Sequence, residues 1–494
     1  MYNFKTAAKI YCIIITLLPV YFNTIYGEEP AALKFSGERL FKHISHIASK
    51  ETDGRLMGSA GSHKAGRYIE DIYAEYGLMP IGKYSGYSQS FEINARHLGS
   101  GNRLSIGNKI FEIKKGFMPL YFSAEGEASG EAFYAGHGLK IEDFKGSNGK
   151  IAVALDNGAA EGEDGNALIM KIGELAQESG AKGLVILVRS MELLYNDMSM
   201  FPEFIHPKYL KRWQSQHPSM SNTLLEIKTT SAAARLKTPA IKIPVVMAAA
   251  GEDEVIAGIA IGIKVKFEDR LIAGKNIMGL IKGTGDEAVI IGAHYDHLGR
   301  DGDGNIFYGA DDNGTGVAAM LEMASAFSKI KDRLKRSILF IAFDGEEWGL
   351  RGASAYIDNP VFPYEKTIAM LNMDSIGRNK PDEIYLLGSL SSPDLKRLND
   401  SVKSRGLNIL DTIEFAFDHG SDHYPFYEKG IPSIDYTSSY HEDFHKVTDT
   451  VDKVNIEKVS KAAESIFRVA YEIASTDIKF DKPKKVYVPF PKRQ

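Results

Sequence analysis

The sequence has 494 residues, of which 44% are hydrophobic and 25% are charged, a balance typical of globular proteins and not of disordered, fibrous or membrane-embedded chains. This length predicts two or three domains. The formal net charge of -5 shows no excess of basic residues, so we expect no nucleic-acid partner.

The first 27 residues have the layout of a secretory signal peptide. Lys5 and Lys9 precede an apolar stretch from Ile10 to Phe22, and a short segment follows that ends at Gly27. The apolar stretch is shorter than the roughly 20 residues that a membrane-spanning helix needs. We therefore predict cleavage after Gly27, export to the periplasm or the medium, and no membrane span in the mature protein.

The cysteine content limits the kind of metal site that the mature protein can form. The only cysteine, Cys12, lies in the predicted signal peptide. The mature protein would then have no disulfide bond and no thiolate ligand. Any metal ion must be bound by His, Asp and Glu.

Residues 28–115 are predicted to be the N-terminal part of the main domain, and residues 33–77 within them have a helical pattern. Leu40, Ile44 and Ile47 recur at the spacing that places them on one face of a helix. A second helical pattern runs over residues 65–76 and ends at a glycine. Because the segment is too short to bury a core alone, we assign it to the first part of a domain that continues later in the chain.

Residues 116–250 have a different pattern, with short apolar runs typical of strands. Two such runs are Ile151–Leu155 and Leu184–Val188, and a helix is predicted at Leu168–Glu178. This region is therefore predicted to be a separate, small α/β or β-rich domain.

Residues 251–475 are predicted to form the main domain, because from residue 277 onward apolar runs alternate with helical patterns. This alternation indicates an α/β fold with a mixed central β-sheet and helices on both faces. Three runs read as strands buried on both faces: Ala288–Ala293, Ser337–Phe343 and Thr367–Met373. Residues 476–494 form a basic tail, which either docks as an extended strap or stays solvated. We favour the solvated terminus.

Side chains that can bind a metal follow each of these three strands. His294 and Asp296 follow the first, Glu346 and Glu347 the second, and Asp374 the third. The carboxyl ends of strands form the ligand crevice of an open α/β sheet, so we expect these side chains to converge. A shared metal site at this edge explains these residues better than the alternative, in which each polar residue merely ends its strand.

A glycine-rich loop over residues 309–316 contributes two more acids, Asp311 and Asp312, and opens a predicted helix. One of the two either caps that helix or joins the site.

A second metal-binding pattern, H-E-x-x-H, occurs at His441, Glu442 and His445. The zincin mechanism needs both imidazoles on one face of a helix. Here the pattern follows a predicted strand, Pro432–Tyr436, and continues with polar residues. We interpret it as a coincidental match in which one histidine is used differently.

Five motifs in chain order resemble the M28 family of zinc aminopeptidases: HYDH, GADDNGTG, FDGEEWGL, NMDSIG and FHKVTDT. They lie between Lys275 and Val454. Residues 116–250 resemble the protease-associated (PA) domain that many members carry as an insertion. The resemblance implies the zinc exopeptidase fold and an aminopeptidase that acts on peptides.

The resemblance also implies a role for each residue at the metal centre. His294 and Asp374 are implied to bind one zinc ion, and Glu347 and His445 the other. Asp312 is implied to bridge the two, so two Zn²⁺ ions are expected per chain. Two metals about 3.5–4 Å apart can acidify a shared water molecule.

Further roles follow from the same resemblance. Glu346 is implied to be the general base and Asp296 the carboxylate that orients the His294 imidazole. Phe444 stands where relatives often have tyrosine. We therefore expect His423 or Tyr440 to bind substrate in its place.

Three alternatives share these motifs. A glutaminyl-cyclase-like enzyme would use a single zinc ion, whereas the aspartate loop favours two. A glutamate-carboxypeptidase-like enzyme would share every metal ligand. An inactive, receptor-like homologue would keep the fold without the chemistry, but all five predicted ligands and the predicted base are present. The oligomeric state stays open.

Overall fold

The structure is a computed structural model. It describes residues 35–84, 86–113, 116–120, 122–155, 165–188, 223–225, 241–251, 255, 258–300, 304–402, 406–411 and 420–484. The predicted signal peptide, residues 1–27, lies outside the described residues. Among the described helices, none combines the length and the apolar character needed to span a membrane.

The described part of the chain contains strands that form two sheets. They are β1 (Ser88–Leu98), β2 (Arg103–Ile106), β3 (Lys109–Phe111), β4 (Phe117–Pro119), β5 (Gly126–Tyr134), β6 (Ile151–Leu155), β7 (Gly183–Val188), β8 (Thr223–Leu225), β9 (Val245–Ala249), β10 (Ala260–Val265), β11 (Phe267–Ile281), β12 (Ala288–His294), β13 (Ser337–Phe343), β14 (Thr367–Met373), β15 (Glu383–Leu387), β16 (Asn408–Asp411) and β17 (Ser433–Thr437).

The α-helices of the described residues pack on these sheets. They are α1 (Gly37–Ile47), α2 (Ala60–Glu75), α3 (Gly165–Glu178), α4 (Gly316–Ser328), α5 (Arg351–Asp358), α6 (Pro393–Val402), α7 (His423–Glu428) and α8 (Ile456–Ser475). In α1 the buried residues include Leu40, Ile44 and Ile47, which confirms the predicted apolar face.

The larger sheet has the strand order β16-β15-β17-β14-β12-β13-β11-β1-β8 among the described strands. Its central strands β13, β12, β14 and β17 run parallel to one another. The flanking strand β11 is antiparallel to β13, so the sheet is mixed as predicted. The three predicted apolar runs are confirmed as β12, β13 and β14.

Both faces of the central strands are covered, which explains why these strands are apolar without alternation. Val289 and Ile291 of β12 belong to a core that includes residues of α1, α2, α4 and α8. Ile290, the residue between them, belongs to a second core with residues of α5 and α7. Helices on both faces are therefore confirmed, and the carboxyl ends of the parallel strands remain at one edge.

The smaller sheet has the order β3-β2-β10-β5-β6-β7-β9-β4 among the described strands. The strand predicted at 151–155 is confirmed as β6, and the run at 184–188 lies within β7. This sheet also takes β2, β3 and β10 from outside residues 116–250. Strands on both sides of the predicted insertion thus join its sheet, and the domain limits stay predictions.

A buried ion pair between α1 and α4 predicts a pH dependence of stability. Glu322 accepts two hydrogen bonds from Arg39, both of 2.7 Å, and lies 3.7 Å from His43. Burial would raise the pKa of the Glu322 carboxyl, but the neighbouring His43 and the hydrogen-bonded Arg39 lower the pKa to about 2 from an ordinary 4.5. A carboxyl with a lowered pKa stabilises the fold above its unfolded pKa and loses that contribution as the pH falls.

We expect Glu322→Gln to lower the free energy of unfolding by about 1–3 kcal/mol at pH 7, a range that allows for solvent screening because Arg39 is half-exposed. The difference should narrow as the pH falls from about 4.5 towards about 2, where wild-type Glu322 becomes protonated. Thermal melting of both proteins at pH 7, 5 and 3 measures it. A difference that stays constant down to pH 3 would contradict the assigned ion pair.

Candidate metal centre

The candidate site lies at the carboxyl edge of the parallel strands. His294 is the last residue of β12, and Asp374 directly follows β14. The turn that carries Glu346 and Glu347 follows β13, which lies on the other side of β12. The convergence of these three strand ends is as predicted.

A first group of donor atoms contains His294, Asp312 and Asp374. The Nε2 atom of His294 lies 3.3 Å from Oδ1 of Asp312 and 3.3 Å from Oδ1 of Asp374. The second oxygen of Asp374 accepts a 2.9 Å hydrogen bond from the Ser421 hydroxyl, which holds the first oxygen towards the histidine.

A second group of donor atoms faces the other oxygen of Asp312. The Nε2 atom of His445 lies 2.9 Å from Oδ2 of Asp312 and 3.3 Å from Oε2 of Glu347. The two oxygens of Asp312 thus point to two different groups, each with one histidine and one further carboxylate. This is the arrangement that a bridging carboxylate requires.

These groups fit zinc. Ligands bound tetrahedrally at about 2.0–2.1 Å from a zinc ion lie about 3.3 Å from one another. The separations are 3.3 Å in the first group, and 2.9 Å and 3.3 Å in the second. Two of the carboxylates are also almost fully buried, with Asp312 and Glu347 each 2% exposed. Clustered buried carboxylates are strongly unfavourable without cations close by. The set of donors and their spacing therefore suit two divalent ions.

The electrostatics of the protein groups show how strongly the carboxylates act on the histidines. Burial would lower the pKa of His445, but Glu347 and Asp312 raise the pKa to about 10. Burial would likewise lower the pKa of His294, yet Asp374 and Glu346 raise that pKa well above its usual value. A site that favours protons this strongly also favours metal cations, which compete with protons for the same nitrogens.

Glu346 lies beside the donor groups. Burial raises the pKa of its carboxyl well above the usual value, and Asp374 and Glu347 raise the pKa further. Its backbone N–H donates to Oδ1 of Asp296 (3.1 Å), and that of Glu347 donates to Oδ2 (3.3 Å). The Asp296 carboxylate therefore fastens the turn that carries both glutamates.

Asp296 has a different arrangement at His294 from the one we expected. The Nδ1 atom of His294 lies 3.3 Å from the backbone oxygen of Asp296 and 3.7 Å from its carboxylate. The nearer partner of the imidazole is therefore a carbonyl group, and the carboxylate is occupied by the glutamate turn. The predicted role of this carboxylate in orienting His294 stays a prediction.

The loop that carries Asp312 is held by Asp449. The backbone N–H groups of Asp311 and Asp312 donate to the Asp449 carboxylate at 3.1 Å. Burial, with the negative charge of Asp311, raises the pKa of Asp449 to about 6. Neither loop aspartate caps α4, since Gly316 N–H donates instead to the Asn313 side chain (3.0 Å).

The H-E-x-x-H segment is not a helix, which confirms that the match is coincidental. Turns follow β17 over residues 441–450. His445 lies in the second donor group, whereas Nε2 of His441 is 3.4 Å from Oδ2 of Asp311. The two histidines therefore face different aspartates of the same loop.

A fully buried arginine fastens the centre from the N-terminal part of the chain. Arg55 donates to the backbone oxygens of Tyr295 (2.7 Å), Tyr308 (2.6 Å) and Gly309 (3.0 Å). These carbonyls belong to the segments that carry His294 and the aspartate loop. A single planar guanidinium thus fixes the relative position of the two segments.

A family model and the curated relatives cover the part of the chain that carries this centre. Residues 276–470 match the model of "Peptidase family M28". The aminopeptidase YwaD of Bacillus subtilis is 28% identical over 226 residues, which are 43% of this chain and 47% of that protein. The model match assigns residues 276–470 to peptidase family M28. The chain therefore spans about half the length of this relative.

Solved structures of aminopeptidases share the fold of this chain. An aminopeptidase from Aneurinibacillus sp. strain AM-1 has a TM-score of 0.59 at 20% identity, over 92% of this chain and 96% of that chain. A zinc aminopeptidase from Bacillus subtilis, BSAP, has a TM-score of 0.55 at 21% identity, over 90% of this chain and 97% of that chain. At this identity the likeness establishes the fold.

The two predicted substrate-binding residues of the M28 region differ in exposure. Tyr440 is 44% exposed, and its ring packs edge-on against Phe444, at 4.5 Å between centroids. Phe444 in turn stacks on the His445 ring at 3.9 Å. His423 begins α7 and is only 1% exposed. Both roles stay predictions, and exposure favours Tyr440.

The M28 centre contains a histidine to which the sequence analysis assigned no role. Nδ1 of His297 lies 2.6 Å from Oε1 of Glu347. The only signal in the sequence was a second histidine three residues after His294, within the HYDH motif. Neither donor group includes a residue from the described part of the predicted small domain, residues 116–250. Two histidines of that region, His206 and His217, lie outside the described residues.

Proposed function

We propose that this M28 protein is a zinc aminopeptidase that binds two zinc ions and hydrolyses the N-terminal peptide bond of peptides. The observation that carries the proposal is the pair of donor groups that share Asp312, one oxygen to each group. His294 and Asp374 would complete one zinc site, and His445 and Glu347 the other. Both sites would then have three protein ligands, as in other catalytic zinc sites, with room for water or substrate.

When bound, two zinc ions would supply Lewis acidity, which makes a water molecule acidic and polarises the scissile carbonyl group. Glu346 is the proposed general base. It sits in the turn next to Glu347, and it belongs to neither of the two donor groups. Its carboxylate would accept the proton of the water and pass it to the leaving amine.

The raised pKa of Glu346 supports this role. A carboxylate that sits among Asp374 and Glu347 in a buried site binds a proton more strongly than an exposed glutamate does. Bound cations would offset part of that effect, which brings the pKa towards the range in which a glutamate can both accept and return a proton.

The choice of an aminopeptidase within the family rests on the relatives. YwaD and the two solved structures that share the fold over most of this chain are named as aminopeptidases. A carboxypeptidase would use the same donor groups, so the substrate end must be tested directly.

A panel of substrates tests the end preference. We expect the purified protein to hydrolyse amino-acid anilides and dipeptides blocked at the C-terminus, and to leave the same compounds intact when the N-terminus is acetylated. A chelator should abolish turnover and added Zn²⁺ should restore it. Cleavage of N-acetylated dipeptides with a free C-terminus would show a carboxypeptidase, and cyclisation of N-terminal glutamine without hydrolysis would show a cyclase.

We also propose export, which the N-terminal pattern of Lys5, Lys9 and the following apolar stretch supports. N-terminal sequencing of the protein recovered from the periplasm or the medium tests this proposal. An intact N-terminus on cytoplasmic protein would refute it.

A further inference from the structure

His297 is close enough to the second donor group to be considered part of it. Its Nδ1 atom and carboxylate oxygens of Asp312 and Glu347 all lie within 4.8 Å of one another. The ring is fully buried, and Nε2 has no hydrogen-bond partner among the described residues. Two roles are conceivable: a direct ligand of zinc, or a residue that positions a ligand.

The distances separate these roles. Two ligands of one tetrahedral zinc ion lie about 3.3 Å apart, as His445 and Glu347 do. Nδ1 of His297 lies 2.6 Å from Oε1 of Glu347 and 4.0 Å from Oδ2 of Asp312. The first separation is too short for two ligands of one ion and is that of a short, charge-assisted hydrogen bond. Because an ionised carboxylate only accepts, Nδ1 carries the proton.

The hydrogen bond also divides the two oxygens of Glu347. Oε1 accepts from His297, while Oε2 lies 3.3 Å from Nε2 of His445, at the separation expected for ligands of one ion. With Oε1 engaged by His297, Oε2 is the oxygen that faces His445 and the rest of the second group. We propose that His297 is a positioning residue that holds Glu347 as a single-oxygen ligand of the second zinc site.

The position of the ring is itself tightly determined. Gly309 has a φ of +57°, and a β-carbon on it would lie 2.5 Å from Cδ2 of His297. On another side the ring packs edge-on against His445, with 5.7 Å between centroids. A glycine in the aspartate loop thus makes room for the imidazole.

Packing alone does not explain a histidine here. An apolar ring of similar size would fill the same space. It would also avoid the loss of stability that comes from burying Nε2 without a hydrogen-bond partner. Among the described residues, the Glu347 carboxylate is the only polar group within hydrogen-bond distance of the His297 side chain. Partners that orient metal ligands typically change metal affinity by about 10–100-fold when they are removed.

The inference rests on the proposed function, because it needs a second zinc site. We would therefore measure zinc binding by the metal-free protein, in competition with a chromophoric chelator, without using activity. His297→Phe keeps an aromatic ring but removes the donor. His297→Asn keeps an N–H donor near the position of Nδ1. His63→Phe, at a half-buried histidine of α2 outside the centre, is the matched control.

We expect the wild type and His63→Phe to bind two zinc ions with the same pair of dissociation constants. In His297→Phe one dissociation constant should rise by about 10–100-fold and the other should not change. His297→Asn should recover most of the lost affinity. Circular dichroism checks the fold, and His297→Leu takes the place of His297→Phe if the latter does not fold.

Several outcomes would overturn the inference. Wild-type constants in His297→Phe would show that the hydrogen bond does not matter for metal binding. Equal weakening of both sites, or no recovery in His297→Asn, would show a general packing effect. If the wild type binds a single zinc ion, both the proposed dinuclear centre and this inference are overturned. The two outcomes above would overturn this inference alone.

Discussion

Glu346→Gln should lower kcat by at least about 10²–10⁴-fold while the protein still binds two zinc ions. The substitution keeps the size of the side chain but removes the proton acceptor. Glu346 contributes no oxygen to either donor group, so metal binding should not depend on its charge. Steady-state kinetics on an amino-acid anilide, with zinc content measured on the same samples, provides the test.

Glu442→Gln is the matched control, because Glu442 would be the base if the H-E-x-x-H pattern were used. It is exposed and lies in a turn, so its substitution should leave turnover nearly unchanged. If Glu442→Gln abolished turnover while Glu346→Gln retained it, the mechanism proposed for this protein would be wrong. Loss of zinc in Glu346→Gln would instead make that residue a ligand.

Asp312→Asn should lower the metal content more than Glu346→Gln does. We expect it to lose tight zinc binding at both sites, and turnover with it. Each oxygen of Asp312 faces one histidine, at 3.3 Å from His294 and 2.9 Å from His445. Without this carboxylate each site keeps only two protein ligands, fewer than the three of a catalytic zinc site. Elemental analysis after dialysis at low free zinc should find fewer than one ion per chain.

Asp374→Asn provides the comparison for this result, because Asp374 belongs to one group only. It should lose one ion and keep the other, held by Asp312, Glu347 and His445. Two retained ions in Asp312→Asn would exclude the bridging role. An equal loss in both variants would show that the two sites do not bind independently.

The sequence by itself determined the central strands and the elements that end at the site. The apolar runs at 288–293, 337–343 and 367–373 are β12, β13 and β14 because residues buried on both faces of a sheet leave a continuous local signal. Since parallel strands end at one edge, the convergence of His294, Glu347 and Asp374 followed from the same pattern. The order of the five motifs indicated the resemblance to the M28 family.

Only the tertiary structure shows which side-chain atoms of the site are in contact. His297 and Glu347 are 50 residues apart, and Arg55 reaches Tyr295 across 240 residues. The two contacts of Asp296 are also visible only in the folded structure. Its carboxylate accepts a hydrogen bond from the backbone of the glutamate turn, and its carbonyl oxygen faces His294.

The extent of the smaller sheet was decided in the same way. Strands β2 and β10 lie on either side of the predicted insertion and pair with each other. Such contacts are formed by chain segments that are distant in sequence, and their energy comes from pairing and burial once the chain has folded. No periodicity within either segment carries that information, so only the folded molecule shows it.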